Sequence, residues 1–132
     1  MVRQEFDVDG YWRVVVYYDV DYSCVATIKK EFSEEGFDGR YIDEMLYTMH
    51  YDGAKAVTCS DIKKHISIVL FNKHSSIPDY INSIVHEAEH IKQAMLEAYN
   101  IEDKGEAPAY TIGHLLMRMY SCFRNTRSLL SS

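Results

Sequence analysis

"SIPDYINSIVHEAEHIKQAMLEAY", residues 76–99, carries the longest unbroken period in the chain. Ile77, Ile81, Ile84, Ala88, Ile91 and Met95 recur at alternating spacings of four and three, which lays them along one side of an α-helix from about Ser76 to Tyr99. Ser76 followed by Asp79 resembles a capping box, and Pro78 falls in the first turn, where a missing N–H costs nothing. At roughly 100° per residue, His86 and His90 fall nearly opposite the apolar stripe, on a face not committed to packing.

Working outward, the segments before this helix have a different texture. "KAVTCS" (55–60) and "KHISIVLFN" (64–72) read as strands joined by a polar turn, and "YWRVVVYYDV" (11–20) is dense enough in β-branched and aromatic residues to be another. Residues 22–32, "YSCVATIKKEF", are expected to return beside it as a strand. Tyr41, Met45, Thr48 and Met49 predict a short helix over 40–51, ended by Asp52-Gly53. After the break "NIEDKG" (100–105) a last helix starts near Glu106, with Ala109, Ile112, Leu116, Met119, Tyr120 and Phe123 as its buried stripe. The expected fold is α+β: a small, mostly antiparallel sheet packed against the 76–99 helix and the C-terminal helix, in one domain spanning 1–132.

Composition narrows the function. A chain of 132 residues can bury a core without a metal or disulfides, so a metal would serve chemistry. Three widely separated cysteines, Cys24, Cys59 and Cys122, indicate neither a disulfide framework nor a cysteine zinc site, and fit a reducing cytoplasm. A net charge of -6 argues against nucleic acid, and Arg118, Arg124 and Arg127 read as a solvated helix end. The start lacks a secretory apolar core, and no later run is long enough for a membrane span.

"HEAEH" places His86 and His90 one helical turn apart, so both imidazoles can reach one divalent ion, and Glu87 can address a water on it from the side. The bland alternative is a polar helix face exposed to solvent. A third ligand would have to come from elsewhere. Glu97 lies about 10 Å further along the same axis and is excluded. Glu106 and His114 are about 12 Å apart on one helix and cannot share an ion. Glu106 is the better placed, flanking the buried stripe at the start of a returning helix. Tyr110, one turn on, could orient Glu106 or donate its hydroxyl to an oxyanion, or could be an ordinary core aromatic.

"IVHEAEHIKQAML" followed by "EAPAYTIGHLL" resembles the gluzincin pattern of zinc metallopeptidases, and more narrowly small phage- and mobile-element-encoded proteins pairing H-E-x-x-H with a downstream E-x-x-A-Y. The likeness covers about residues 65–120. It implies a minimal zincin-like fold, one zinc ion on His86, His90 and Glu106, Glu87 as general base, and a peptide or protein substrate. It also implies that the strand ahead of the helix, "HISIVLFN", borders the cleft and takes an extended peptide by strand addition.

The remaining features have plainer readings. His50, His65 and His74 are expected to be structural or solvated, with His74 the best placed to touch a substrate. Met45, Met49, Met95, Met117 and Met119 read as core fillers. The eleven tyrosines, clustered in "YWRVVVYYDVDY", cover a two-sided sheet or form a partner-binding face. The expected function is a zinc-dependent hydrolase, most simply a peptidase. The alternative is a non-catalytic protein-binding factor on the same scaffold, such as a phage protein that occupies a host protein.

Overall fold

Val2, Gln4, Phe6 and Val8 alternate with Arg3, Glu5 and Asp7, and this period of two makes the first strand, β1 (Val2–Val8), with Phe6 and Val8 turned inward. Asp9 and Gly10 take left-handed φ values of 55° and 73°, a pairing that lets the chain reverse tightly into β2 (Trp12–Tyr18). The computed structural model describes the backbone of residues 1–131 and the side chains of residues 1–127. After a single 3-10 turn at Tyr22–Cys24 come α1 (Val25–Glu34), α2 (Gly39–His50), β3 (Ala56–Asp61), β4 (Ile66–Phe71), α3 (Ile77–Tyr99) and α4 (Glu106–Ser131).

The four strands form one mixed sheet in the order β1-β2-β4-β3. β1 with β2 and β3 with β4 are antiparallel, while the central pair β2 and β4 is parallel. Because both long edges of β4 are paired, its six residues are all buried. The two sheet faces have separate cores. Val14, Val16, Tyr18, Val69 and Phe71 pack against Tyr80, Ile84, Ala88, Ile91 and Met95 of α3 and Leu115, Met119 and Phe123 of α4. Val15, Tyr17, Ile66, Ile68 and Leu70 pack against Ile28 and Phe32 of α1 and Ile42, Met45, Leu46 and Met49 of α2. The fold is α+β, with helices on both faces of the sheet.

Several expectations change here. Residues 22–32 are not a strand. Ile28 and Phe32, one turn apart, are the only buried residues of α1 and hold it to the sheet as an amphipathic helix. The stripe of α3 runs through Tyr80 rather than Ile77, which is exposed. Pro108, Thr111, Leu115, Met119 and Phe123 form the buried stripe of α4, so the helix is rotated from the expected setting and leaves Ala109 and Tyr120 exposed. Met117 is likewise exposed, while Met45, Met49, Met95 and Met119 are buried as expected. Tyr17 and Tyr18 lie in the two cores, so the Tyr-rich N-terminal stretch presents no continuous partner-binding face. Among the described residues no helix is long and apolar enough to cross a membrane.

One ion pair ties the end of β2 to α4. Arg127 donates to both oxygens of Asp19, at 2.8 and 3.0 Å, and lies over the rings of Tyr80 and Phe123. Burial works against the charged carboxylate, but the hydrogen bonds and charge of Arg127 outweigh it and hold Asp19 below the ordinary carboxylate range. A depressed carboxylate stabilises the fold above its unfolded pKa of about 3.9, and that contribution is lost as pH falls through the folded value. Asp19→Asn keeps a residue that tolerates the left-handed φ of 55° at this position. It is expected to cost roughly 1–2 kcal/mol at neutral pH, the low end for charged hydrogen bonds because Arg127 keeps some solvent contact. Urea melts of both proteins should show that gap at pH 5 and above, closing below pH 4. A gap of constant size across this range would assign the loss to packing.

Candidate metal centre

α3 begins as its sequence directs. Ser76 accepts a hydrogen bond from the Asp79 N–H, Pro78 stands in the first turn, and Asp79 adds an acidic side chain there. The loop leading into it is pinned by His74. The Asn72 carbonyl can only accept, so Nδ1 of His74 donates to it at 2.7 Å. Burial holds the imidazole below its usual pKa, and the neutral ring then accepts at Nε2 from the Ser83 hydroxyl, 2.8 Å away. His74 thus fastens the end of β4 to the second turn of α3. At the other end Asn100, with φ of 55°, closes the helix in the left-handed cap.

Between these ends the metal-type side chains sort by face. Ile84, Ala88 and Ile91 pack on the sheet, with Glu87 on their flank and only 3% exposed. His86 and His90 are exposed. Their Nε2 atoms face one another at 3.2 Å, and the ligand atoms of His86, Glu87 and His90 all lie within 4.8 Å of one another. Burial raises the Glu87 carboxyl above its ordinary pKa, against the opposing influences of His90, His86 and a hydrogen bond from Thr58. That bond, from Thr58 Oγ1 to Glu87 Oε2 at 3.4 Å, reaches across from β3, the outer strand on this side of the sheet.

Glu106 lies outside this group. It is the exposed first residue of α4, and among the described residues the group of convergent His, Cys, Asp and Glu donors contains His86, Glu87 and His90 alone. Two physical reasons account for it. His90 lies nine residues before the end of α3, about 13 Å along the axis, so a returning helix starts level with Tyr99 rather than with the histidines. The rotated stripe adds to this, because Glu106 precedes Leu115 by nine residues and points about 180° away from it. Tyr110 is 60% exposed, with its ring 6.2 Å from His114. Among the described residues no hydrogen bond joins Tyr110 to His86 or His90. His114 is half-buried, and its Nε2 has no partner.

The strand expected to border the cleft also differs. β4 is interior, hydrogen-bonded to β2 and β3, and has no edge to offer. β3 has the open edge and carries Thr58. Thr58 is the contributor that sequence reasoning missed. Its signal was the alternation in "AVTCS", which puts Ala56, Thr58 and Ser60 on one face of the strand and Val57 and Cys59 on the other. His65 stacks on Trp12 and His50 lies against Tyr22, so neither joins the α3 group.

Compared with protein-family models, curated proteins and solved structures, the chain finds no match.

Proposed function

We propose that this protein is a metal-dependent hydrolase acting on extended peptides, with His86 and His90 as metal ligands and Glu87 as general base. The observation carrying the reading is the 3.2 Å approach of the two imidazole Nε2 atoms beside a buried carboxylate. Two nitrogen ligands at about 2.0–2.1 Å from one tetrahedral ion stand about 3.3 Å apart, so the pair is spaced as a zinc site needs. A bound zinc ion supplies a Lewis acid and lowers the pKa of a coordinated water to about 7.

The chain's own residues supply the rest. Glu87 is held by the packing of α3 and by Thr58 on Oε2, leaving Oε1 to take a proton from water and return it to a leaving amine. Burial raises its proton affinity, which favours the uptake of the proton from water. The open edge of β3, beside Glu87, can pair with a substrate backbone in extended form, which favours peptides over compact substrates. The free thiols of Cys24, Cys59 and Cys122 are in keeping with a reducing, cytoplasmic setting.

Metal analysis tests the ligand set. After equilibration with zinc and desalting, the wild-type protein should retain about one ion per chain, and His86→Ala and His90→Ala should each lose it. Glu106→Gln should retain it, since that carboxylate lies outside the convergent group. A wild-type protein that retains no zinc would reduce the histidine pair to an N–H···N hydrogen bond on a polar face.

A non-catalytic protein-binding role is the second reading. The exposed rings of Tyr41, Tyr47 and Tyr51 on and just after α2 favour it, since they put aromatic area on the sheet face away from α3.

A further inference from the structure

The parallel strands β2 and β4 leave the sheet side by side, at Tyr18 and Phe71, and then part. From β2 the chain turns to α1 and α2 on one face, and from β4 to α3 and α4 on the other. Such a divergence opens a crevice at the carboxyl ends of the two strands, the place where open α/β sheets receive ligands. Here it is a cavity of about 640 Å³ lined by Asp19, Asp21, Tyr22, His50, Asn72 and Lys73. The volume falls within the range of small-molecule sites.

Its floor is fixed. Asn72 donates to the Met49 and Ala54 carbonyls and accepts from the Tyr22 hydroxyl at 2.7 Å, so its amide is fully engaged. Asp19 has both carboxylate oxygens on Arg127, and its N–H donates to the Tyr80 hydroxyl. The left-handed φ of 55° at Asp19, uncommon for a residue other than glycine, is held in place by these bonds. Val20 and Met49 add an apolar wall.

The rim, in contrast, is exposed and makes few bonds to the rest of the protein. Asp21 uses Oδ1 on Ser23 and leaves Oδ2 without a partner. Among the described residues Lys73 has no ion pair or hydrogen bond, and none is made by the His50 ring, which lies 4.6 Å from Tyr22. Asp21 and Lys73 are of opposite sign and share one cavity with Met1, whose α-ammonium also acts on Asp21, yet among the described residues no ion pair closes either cation on the Asp21 carboxylate. A rigid floor, an apolar wall and an open pair of opposite charges match a small molecule bearing both an ammonium and a carboxylate.

We propose that this crevice binds a small zwitterion, a free α-amino acid or a dipeptide, with its ammonium at Asp21, its carboxylate at Lys73 and its side chain against Val20, Tyr22 and Met49. The inference stands on residues separate from His86, Glu87 and His90 and does not depend on the hydrolase reading.

Titration of the intact protein with phenylalanine and with alanyl-phenylalanine, followed by amide ¹H–¹⁵N spectra, tests it and distinguishes the two sources. At least one of them should shift the amides of residues 19–22, 49–50 and 72–73 with saturation in the millimolar range or below. N-acetylation or C-terminal amidation of the ligand should weaken binding about fivefold each, as should Asp21→Asn and Lys73→Gln. Both substitutions are at exposed positions, and asparagine retains the side-chain cap on Ser23. No saturable shift with either compound would overturn the proposal. So would shifts centred on α3, or equal binding of inorganic phosphate abolished by Lys73→Gln alone, which would mark a simple anion site.

Discussion

The Glu87→Gln protein is expected to cleave an unbiased peptide library at pH 7 at least a hundredfold more slowly than wild type, while holding the same amount of zinc. Glutamine would preserve the shape of the side chain and could still meet Thr58, but it cannot take a proton. General acid–base groups contribute about 10²–10⁴-fold to rate, which sets the scale of the loss. Glu87 is 3% exposed and packed beside Ile84 and Ala88, so the isosteric replacement should leave the fold intact. A thermal melt of the variant checks this. Cleavage at equal rates by both proteins would remove Glu87 from the chemistry. Absence of cleavage by both, with zinc bound, would favour the binding reading and direct attention to the tyrosines of α2. Loss of zinc in Glu106→Gln would mean that the first turn of α4 swings by about half a rotation when the ion enters.

The largest expected change in stability comes from Trp12→Ala. Trp12 is fully buried at the start of β2, stacked on His65 at 5.3 Å and edge-on to Tyr99. Its indole N–H donates to Ser67 Oγ at 2.9 Å, and Ser67 in turn meets Ser60 at 2.6 Å, so the ring joins β2, β4 and β3. Truncating a buried Trp or Phe costs about 3–5 kcal/mol, a large share of the roughly 5–15 kcal/mol typical of a whole domain. Thermal unfolding should fall by roughly 10–20 °C. Trp12→Phe restores most of the buried ring and should recover more than half of the loss. A fall under about 1 kcal/mol for Trp12→Ala would show that the His65 and Tyr99 rings refill the space.

How far the sequence reveals this structure depends on how local each signal is. α3 was legible except at the start of its stripe, where Tyr80 replaces Ile77, because its cap, its first-turn proline and most of its stripe lie within the segment. β3 and β4 were legible for the same reason. α1 was not, since Val25, Thr27 and Ile28 favour a strand, and it is the long-range packing of Ile28 and Phe32 on the sheet face that decides for a helix. The alternation in "VRQEFDV" and the Asp9-Gly10 turn are local signals of β1 as well, although no strand was expected there. In the candidate site, the meeting of His86 and His90 follows from helical geometry alone. The position of Glu106 turns on the rotation of α4, which is set by Leu115, Met119 and Phe123 packing into a core shared with β1, a strand distant in sequence. Ala109, Ile112 and Leu116 offered a more apolar stripe than Pro108, Thr111 and Leu115, so the local pattern pointed to the other setting.

α3 is anchored where it meets the sheet and α4, and its remaining side faces solvent. Ile84, Ala88 and Ile91 grip the sheet, while the imidazoles project from the opposite sector and contribute nothing to that grip. The exposed imidazoles and the core-forming side chains of α3 are therefore separate sets of residues on a single rod, with the buried Glu87 standing between them. The outward sector can be rewritten with the scaffold's melting point as a near-constant.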